Sequence, residues 1–251
     1  MLKVITSSAE LPASPDDPCG VRIAAIASAY GFDYSFALFW RQLCEKTGRV
    51  TALVASFDRN LTLCATEDAN FAELAAFIGA IGGENLLCAA SVGQRLGLSG
   101  GQACTALRFV GSDLPCAQIG EISYMALYAL LQSGTDGGIK LPGFESWYVD
   151  LSHRVRHNAA RTLAVMQSGT PVAAAIAAYE TDEAALLSGV ATLPPFRASG
   201  YGKTAVCTLS NTLQMQGKAV FVLARAQEVG FYVRCGFTPI EKMIEYQFSE
   251  E

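Results

Sequence analysis

The stretch from Pro194 to Lys203, reading Pro-Pro-Phe-Arg-Ala-Ser-Gly-Tyr-Gly-Lys, joins an apolar strand-like run to a helix-like one. Upstream, Ala184 to Leu193 reads as a buried strand, and downstream Thr204 to Gln214 sets Val206, Leu209 and Leu213 at helical spacing. A strand that turns through glycines into a helix calls for an α/β fold and builds an anion seat. The N–H groups of a first helical turn have no intrahelical partner and lie at the positive end of the helix dipole. Gly200 and Gly202 remove side chains that would hold a phosphate at a distance, and Arg197 and Lys203 add positive charge.

The neighbouring elements follow from local patterns. Ala160 to Met166 and Pro171 to Tyr179 are apolar runs separated by the turn signal Gln167-Ser168-Gly169-Thr170, which predicts an antiparallel pair. Thr181-Asp182-Glu183 turns the chain into the strand ahead of the glycine loop. The helix from Thr204 ends near Gln216 at Gly217, Ala219 to Ala224 reads as a buried strand, and a short helix around Phe231 stops at Gly236. Ile244, Tyr246 and Phe248 alternate, so 237–248 supplies one or two closing strands. The pattern predicts a mixed α/β fold with a largely antiparallel sheet flanked by helices.

Arg197-Ala198-Ser199-Gly200-Tyr201-Gly202 resembles the Arg/Gln-x-x-Gly-x-Gly/Ala loop of the GNAT superfamily, the acyl-CoA-dependent N-acyltransferases. Phe231-Tyr232-Val233-Arg234-Cys235-Gly236-Phe237 resembles the Phe-Tyr-x-x-x-Gly-Phe signature that closes the same family's acyl-CoA site. Both stand in family order, and the resemblance covers residues 145 to 249. It implies acetyl-CoA as co-substrate, an amine acceptor on a small molecule or peptide, direct acyl transfer and no metal. By the same resemblance, N–H groups of residues 198–203 (Ala198, Ser199, Gly200, Tyr201, Gly202, Lys203) with the Arg197 and Lys203 charges hold the pyrophosphate. The backbone of Val190, Ala191, Thr192 and Leu193 binds the pantetheine arm and thioester, and Tyr232 is the acid that meets the departing thiolate.

Two departures stand out. Arg225 occupies the pantetheine-contact position where the family often has Asn, and Glu228 stands where it often has Ala. No carboxylate lies between Ala184 and Thr192, so the base comes from elsewhere or is water. Asp150 to His157 holds both histidines of the chain beside Trp147 and Tyr148, near where the family's first helices shape the acceptor pocket. His153 is the candidate base, with Asp150 as an orienting partner. The pair lacks the H-E-x-x-H pattern and an evident third ligand, so no metal site is expected.

At 251 residues the chain exceeds one such domain. In its first half, Ser35 to Lys46 has a helical apolar face, Val50 to Phe57 and Leu61 to Ala65 form a hairpin around Asp58-Arg59-Asn60, and Phe71 to Ile81 is a helix ended by Gly82-Gly83. Leu86 to Ala90 and Thr105 to Val110 read as further strands. This order resembles a degenerate copy of the same fold without a glycine phosphate loop, leaving open a tandem arrangement. The expected domains are 1–135, non-catalytic, and 140–251, catalytic, joined after the Tyr124 to Leu131 helix through the turn-rich 132–138.

Hydrophobic residues make up 51% of the chain and charged ones 16%, enough apolar material for two cores and a homodimer interface besides. The net charge of −5 argues against a nucleic-acid partner. The N-terminus shows no signal-peptide pattern and no apolar run reaches membrane-spanning length, so a cytoplasmic protein is expected, without a membrane partner. Eight scattered cysteines, including Cys116, Cys207 and Cys235, form no C-x-x-C pair and read as buried thiols rather than zinc ligands or a disulfide framework.

Overall fold

The computed structural model describes residues 1–13, 16–113, 117–134 and 141–248. In chain order the elements are β1 (Leu2–Val4), α1 (Pro18–Tyr30), β2 (Ala37–Leu43), β3 (Val50–Phe57), β4 (Asn60–Ala65), α2 (Phe71–Ile81), β5 (Asn85–Ala89), α3 (Ala90–Arg95) and β6 (Gln102–Phe109). There follow β7 (Ile119–Gly120), α4 (Tyr124–Gly134), α5 (Phe144–Arg156), β8 (Arg161–Gln167), β9 (Thr170–Glu180), β10 (Ala184–Thr192), α6 (Tyr201–Met215), β11 (Ala219–Ala224), α7 (Val229–Arg234) and β12 (Phe237–Gln247). The chain divides into two compact units, one of Met1–Ala106, Ala224–Ala226 and Ile240–Glu251, the other of Leu107–Leu223 and Gln227–Pro239. The unit boundary thus falls at Ala106, whereas the join expected within 136–139 lies outside the described residues.

In the first unit, β1 to β4 pair antiparallel in sequence order, β5 runs parallel to β4, and β12 returns antiparallel to β5. The Asp58-Arg59 turn of the β3–β4 hairpin has positive φ at both residues (46° and 62°), the twist that suits a two-residue hairpin. β3 is buried from Thr51 to Ala55, hence on both faces. One face, with Ala52 and Val54, packs with Leu74 and Ile78 of α2. Ser35 to Lys46 is not a helix: its core is β2, with Phe39 buried and Leu38 partly exposed, between β1 and β3. Two hydrogen-bonded neighbours outweigh a local apolar periodicity that fits a helix equally well. The helix of this region lies earlier, in α1, started by Pro18 and capped by Asp17, whose Oδ1 accepts from Cys19 N at 2.7 Å and Gly20 N at 3.1 Å.

In the second unit, β7 to β10 pair antiparallel and β11 runs parallel to β10, Ala184 to Leu187 aligning with Ala219 to Val222. β9 explains its own composition. Ala174 and Ile176 pack with Leu127, Leu130 and Leu131 of α4 and Leu151 of α5, while the intervening Ala173, Ala175 and Ala177, also buried, face the other way, and α6 packs on this strand too. Small side chains let helices approach a strand covered on both faces.

Each unit repeats one order: helix, three antiparallel strands, helix, a strand parallel to the third, and a short helix. This is α1-β2-β3-β4-α2-β5-α3 in the first and α5-β8-β9-β10-α6-β11-α7 in the second. Of the one or two closing strands expected over 237–248, there is one, Phe237–Gln247.

Glu180 closes the start of β10. Its carboxylate is 3% exposed and Oε1 accepts from Arg161 Nη2 at 2.6 Å and Lys218 Nζ at 2.8 Å, while Lys218 also donates to Thr181 O at 2.6 Å. Removing one partner of a buried ion cluster strands the rest, so Glu180→Ala should destabilise the unit by about 3 kcal/mol. Urea denaturation checks this, and a loss under about 1 kcal/mol, the worth of an exposed pair, would refute it.

Candidate functional site

The site begins where β10 leaves its neighbour. β10 continues to Thr192 and β11 to Ala224, but their pairing stops at Leu187 and Val222. On its other edge β10 carries an extra residue: Ser188 pairs with Ile176 and Ala191 with Ala174, three steps against two, a β-bulge at Gly189 and Val190. Backbone groups past Leu187 are thus released from the ladder that holds the first half of the strand. Val190 and Thr192 are half-buried, Ala191 is packed among the α4 leucines, and Leu193 N donates to Val172 O at 2.9 Å.

The chain then makes a short turn at Pro194–Phe196 and enters the glycine loop. Ala198 (φ 59°) and Gly200 (φ 88°) are both left-handed, a geometry that curls successive N–H groups into an anion-binding concavity. Gly200 is the N-cap of α6 and offers no capping side chain, so the first-turn N–H groups keep no side-chain acceptor. A Cβ at Gly202 would lie 2.7 Å from Thr192 Oγ1, so the start of α6 rests directly on the end of β10. Ser199 is exposed with its hydroxyl on Arg197 O, Tyr201 packs edge-on to Phe196, and Lys203 is exposed.

Arg197, expected beside the pyrophosphate, donates to two backbone carbonyls. Nη2 donates to Gly134 O at 2.9 Å and Nε to Thr192 O at 3.3 Å, so the guanidinium ties the loop to the end of α4. Gly134, expected in the turn-rich join, ends α4, and a Cβ there would lie 2.6 Å from Ala191 Cβ. The signal missed was a glycine at a close approach of helix to strand, hidden in a run of turn-forming residues.

Tyr232 sits on α7 between Phe231 and Phe237, their rings 5.1 and 5.8 Å away and nearly perpendicular. It is 8% exposed. Burial, reinforced by the nearby Glu228 carboxylate, pushes its phenol well above the usual value, so it keeps its proton throughout the neutral range. Arg225 follows β11 in the 224–226 stretch that groups with the first unit. His153 lies on α5, half-buried, its ring stacked on His157 at 4.1 Å, and His157 Nδ1 lies 2.9 Å from His153 O. Asp150, the proposed orienting partner, is gripped by both Nε and Nη2 of Arg154. Among the described residues no three His, Cys, Asp or Glu side chains are gathered to hold a metal ion.

The corresponding position in the first unit is built differently. β4 and β5 pair only over Asn60–Thr62 and Asn85–Leu87, but the loop into α2 has no glycine. Asn70 caps α2 by accepting from Glu73 N at 3.1 Å, and Glu73 places a carboxylate in the first turn, where it accepts from Leu2 N at 3.0 Å and Gln42 Nε2 at 2.9 Å. The seat that an anion would take is filled and negatively charged.

Residues 126–237 match the model of the Acetyltransferase (GNAT) family. This stretch is a GNAT acetyltransferase domain. The match spans α4 to the start of β12 and holds both glycine-loop and Phe-Tyr motifs. No curated protein matches the chain significantly by sequence. Among solved structures, a GNAT-family acetyltransferase from Colwellia psychrerythraea is 15% identical with a TM-score of 0.57, covering 99% of this chain and 100% of that one. A GCN5-related N-acetyltransferase from Sphaerobacter thermophilus is 14% identical with a TM-score of 0.63, over 98% and 94%. A tandem GNAT protein from the clavulanic acid biosynthesis pathway is 11% identical with a TM-score of 0.54, over the whole of both chains. These likenesses concern the fold, and the tandem protein fits the repeated order of elements seen in the two units. No helix among the described residues is long and apolar enough to cross a membrane.

Proposed function

We propose that the GNAT domain is an acyl-CoA-dependent N-acyltransferase, moving an acetyl group from acetyl-CoA to a primary amine of a small molecule or peptide in the cytoplasm. The observation that carries this reading is the parting of β10 from β11 beside the uncapped start of α6. The Ala198–Lys203 N–H groups receive the pyrophosphate, and Lys203 adds the exposed cation. Released backbone groups at Val190 to Thr192 hydrogen-bond the pantetheine arm as a further strand would, whereas Leu193 N and O are already bonded to Val172 O and Phe196 N. N–H groups at the bulge polarise the thioester oxygen, and Tyr232 gives its proton to the leaving sulfur. His153 or a water takes the proton of the acceptor ammonium. Release of free coenzyme A that depends on both acetyl-CoA and an added amine, tested over an amine panel, checks the reading. No turnover with intact binding would favour the alternative, an acyl-CoA sensor or scaffold, for which the lack of any carboxylate between Ala184 and Thr192 speaks.

One acetyl-CoA per chain is expected, because the α2 N-terminus is filled by Asn70 and Glu73. Isothermal calorimetry with the full chain reads the stoichiometry, and a value near two would show that the first unit also binds.

A further inference from the structure

The released end of β10 is covered on one face by α4. Ala191 packs among Leu127, Leu130 and Leu131, and a Cβ on Gly189, at the bulge, would lie 3.6 Å from Leu131 Cδ2. Further along α4, Gly134 brings backbone against backbone: a Cβ there would lie 2.6 Å from Ala191 Cβ, 3.1 Å from Thr192 N and 3.3 Å from Thr192 O. Only glycine lets the end of the helix sit so close. α4 is therefore the wall beside the strand to which the thioester is assigned.

Arg197 fastens this wall. Gly134 closes α4, so its carbonyl has no partner within the helix, and it accepts from Arg197 Nη2 at 2.9 Å while Thr192 O accepts from Nε at 3.3 Å. One rigid guanidinium fork thus spans the end of the helix and the end of the strand. We propose that Arg197 is a positioning residue for the acyl acceptor: its fork on Gly134 O and Thr192 O holds α4 against β10 and so fixes the wall along which the amine reaches the thioester. This role rests on the N-acyltransferase reading, but the clasp itself does not.

The clasp works through geometry rather than charge. Both oxygens it grips are neutral backbone carbonyls, and the pyrophosphate is assigned to the Ala198–Lys203 N–H groups and the Lys203 cation. A lysine at 197 would carry the same charge on a flexible stem, without the planar pair of donors that reaches two carbonyls at once. Losing the fork frees the last turn of α4 to lift from Ala191 and Thr192. The N–H groups of the glycine loop stay where the start of α6 puts them, so the acceptor side of the site suffers and the coenzyme side is spared.

The test uses the full chain and compares Arg197→Ala and Arg197→Lys with the parent. Hydrogen exchange read by mass spectrometry should show the last turn of α4 exchanging about tenfold faster in Arg197→Ala, with β8 and β9 unaltered. Equal exchange there would overturn the clasp. For the amine found by the coenzyme A release panel, kcat/KM should fall about 100-fold in both variants, the cost of misplacing a reactant by about an ångström, while calorimetry finds acetyl-CoA affinity within about threefold of the parent. An unchanged kcat/KM would overturn the positioning role. So would a loss of acetyl-CoA affinity in Arg197→Ala that Arg197→Lys restores, since that pattern marks a charge on the pyrophosphate. Gly134→Ala disturbs the same contact without touching the guanidinium. It should lower kcat/KM for the amine, and adding Ala191→Gly, which removes the atom that the new Cβ meets, should recover about tenfold, within the coupling found between residues in contact. No recovery would overturn the close approach of α4 to β10 as the cause. A parent chain that binds no acetyl-CoA, or turns over no amine, would overturn the N-acyltransferase reading and the acceptor role with it, while exchange at α4 still decides the clasp.

Discussion

Replacing Gly202 by Glu is expected to weaken acetyl-CoA binding by about 100-fold, roughly 2.7 kcal/mol. Two effects add. The new Cβ would lie 2.7 Å from Thr192 Oγ1, so either the Thr192 side chain turns away or the first turn of α6 shifts, and the further bulk of the Glu side chain stands in the path of the anion. The carboxylate then brings like charge to the place assigned to the pyrophosphate, where the helix dipole otherwise favours an anion. Gly202→Ala separates the two, since it adds the contact without the charge, and pairing it with Thr192→Ala removes the atom that Cβ meets. Affinity should fall in the single Ala variant and recover in the double. Calorimetry on variants whose circular dichroism matches the parent decides the matter. Undiminished affinity in a folded Gly202→Glu chain would remove the pyrophosphate from this loop.

Local chemistry made most of the second unit legible. The Gln167–Thr170 turn predicted the β8–β9 hairpin, and the structure has positive φ at Ser168 and Gly169. The glycines between β10 and α6 announced an uncapped helix start because no other residue type serves both a left-handed N-cap and a close approach to Thr192. What stayed hidden depends on groups distant in sequence. Nothing near Arg197 says that its guanidinium bonds the carbonyl of Gly134, 63 residues away. The parting of β10 from β11 is a property of two strands together, though Gly189 inside a strand pattern is a local sign of a bulge. In the first unit, Ser35 to Lys46 read as a helix because its apolar spacing fits either period, and only β1 and β3 make it a strand. The cap formed by Asn70 was readable in principle, since Asn followed three residues later by Glu before an apolar run marks a helix start, and it says why that helix offers no anion seat.

Tyr232→Phe is expected to lower kcat by about 100-fold, the low end of what a general acid supplies, because thiolate is already a good leaving group. Acetyl-CoA affinity should stay near that of the parent, since the hydroxyl serves the departing sulfur rather than the bound ground state. The structure separates the hydroxyl from the ring. The ring is packed between Phe231 and Phe237, contacts that Phe keeps. Stability should therefore be unmoved in Tyr232→Phe and reduced in Tyr232→Ala by about 3 kcal/mol, the cost of emptying an aromatic site. Because burial raises the phenol above its ordinary range, the group is protonated at every pH below that range, and any fall in rate toward acid belongs to the base that frees the amine. Steady-state kinetics with the amine found by the coenzyme A release assay measures both variants. An unaltered kcat in a stable Tyr232→Phe chain would leave the tyrosine as packing alone and assign the thiolate's proton to solvent.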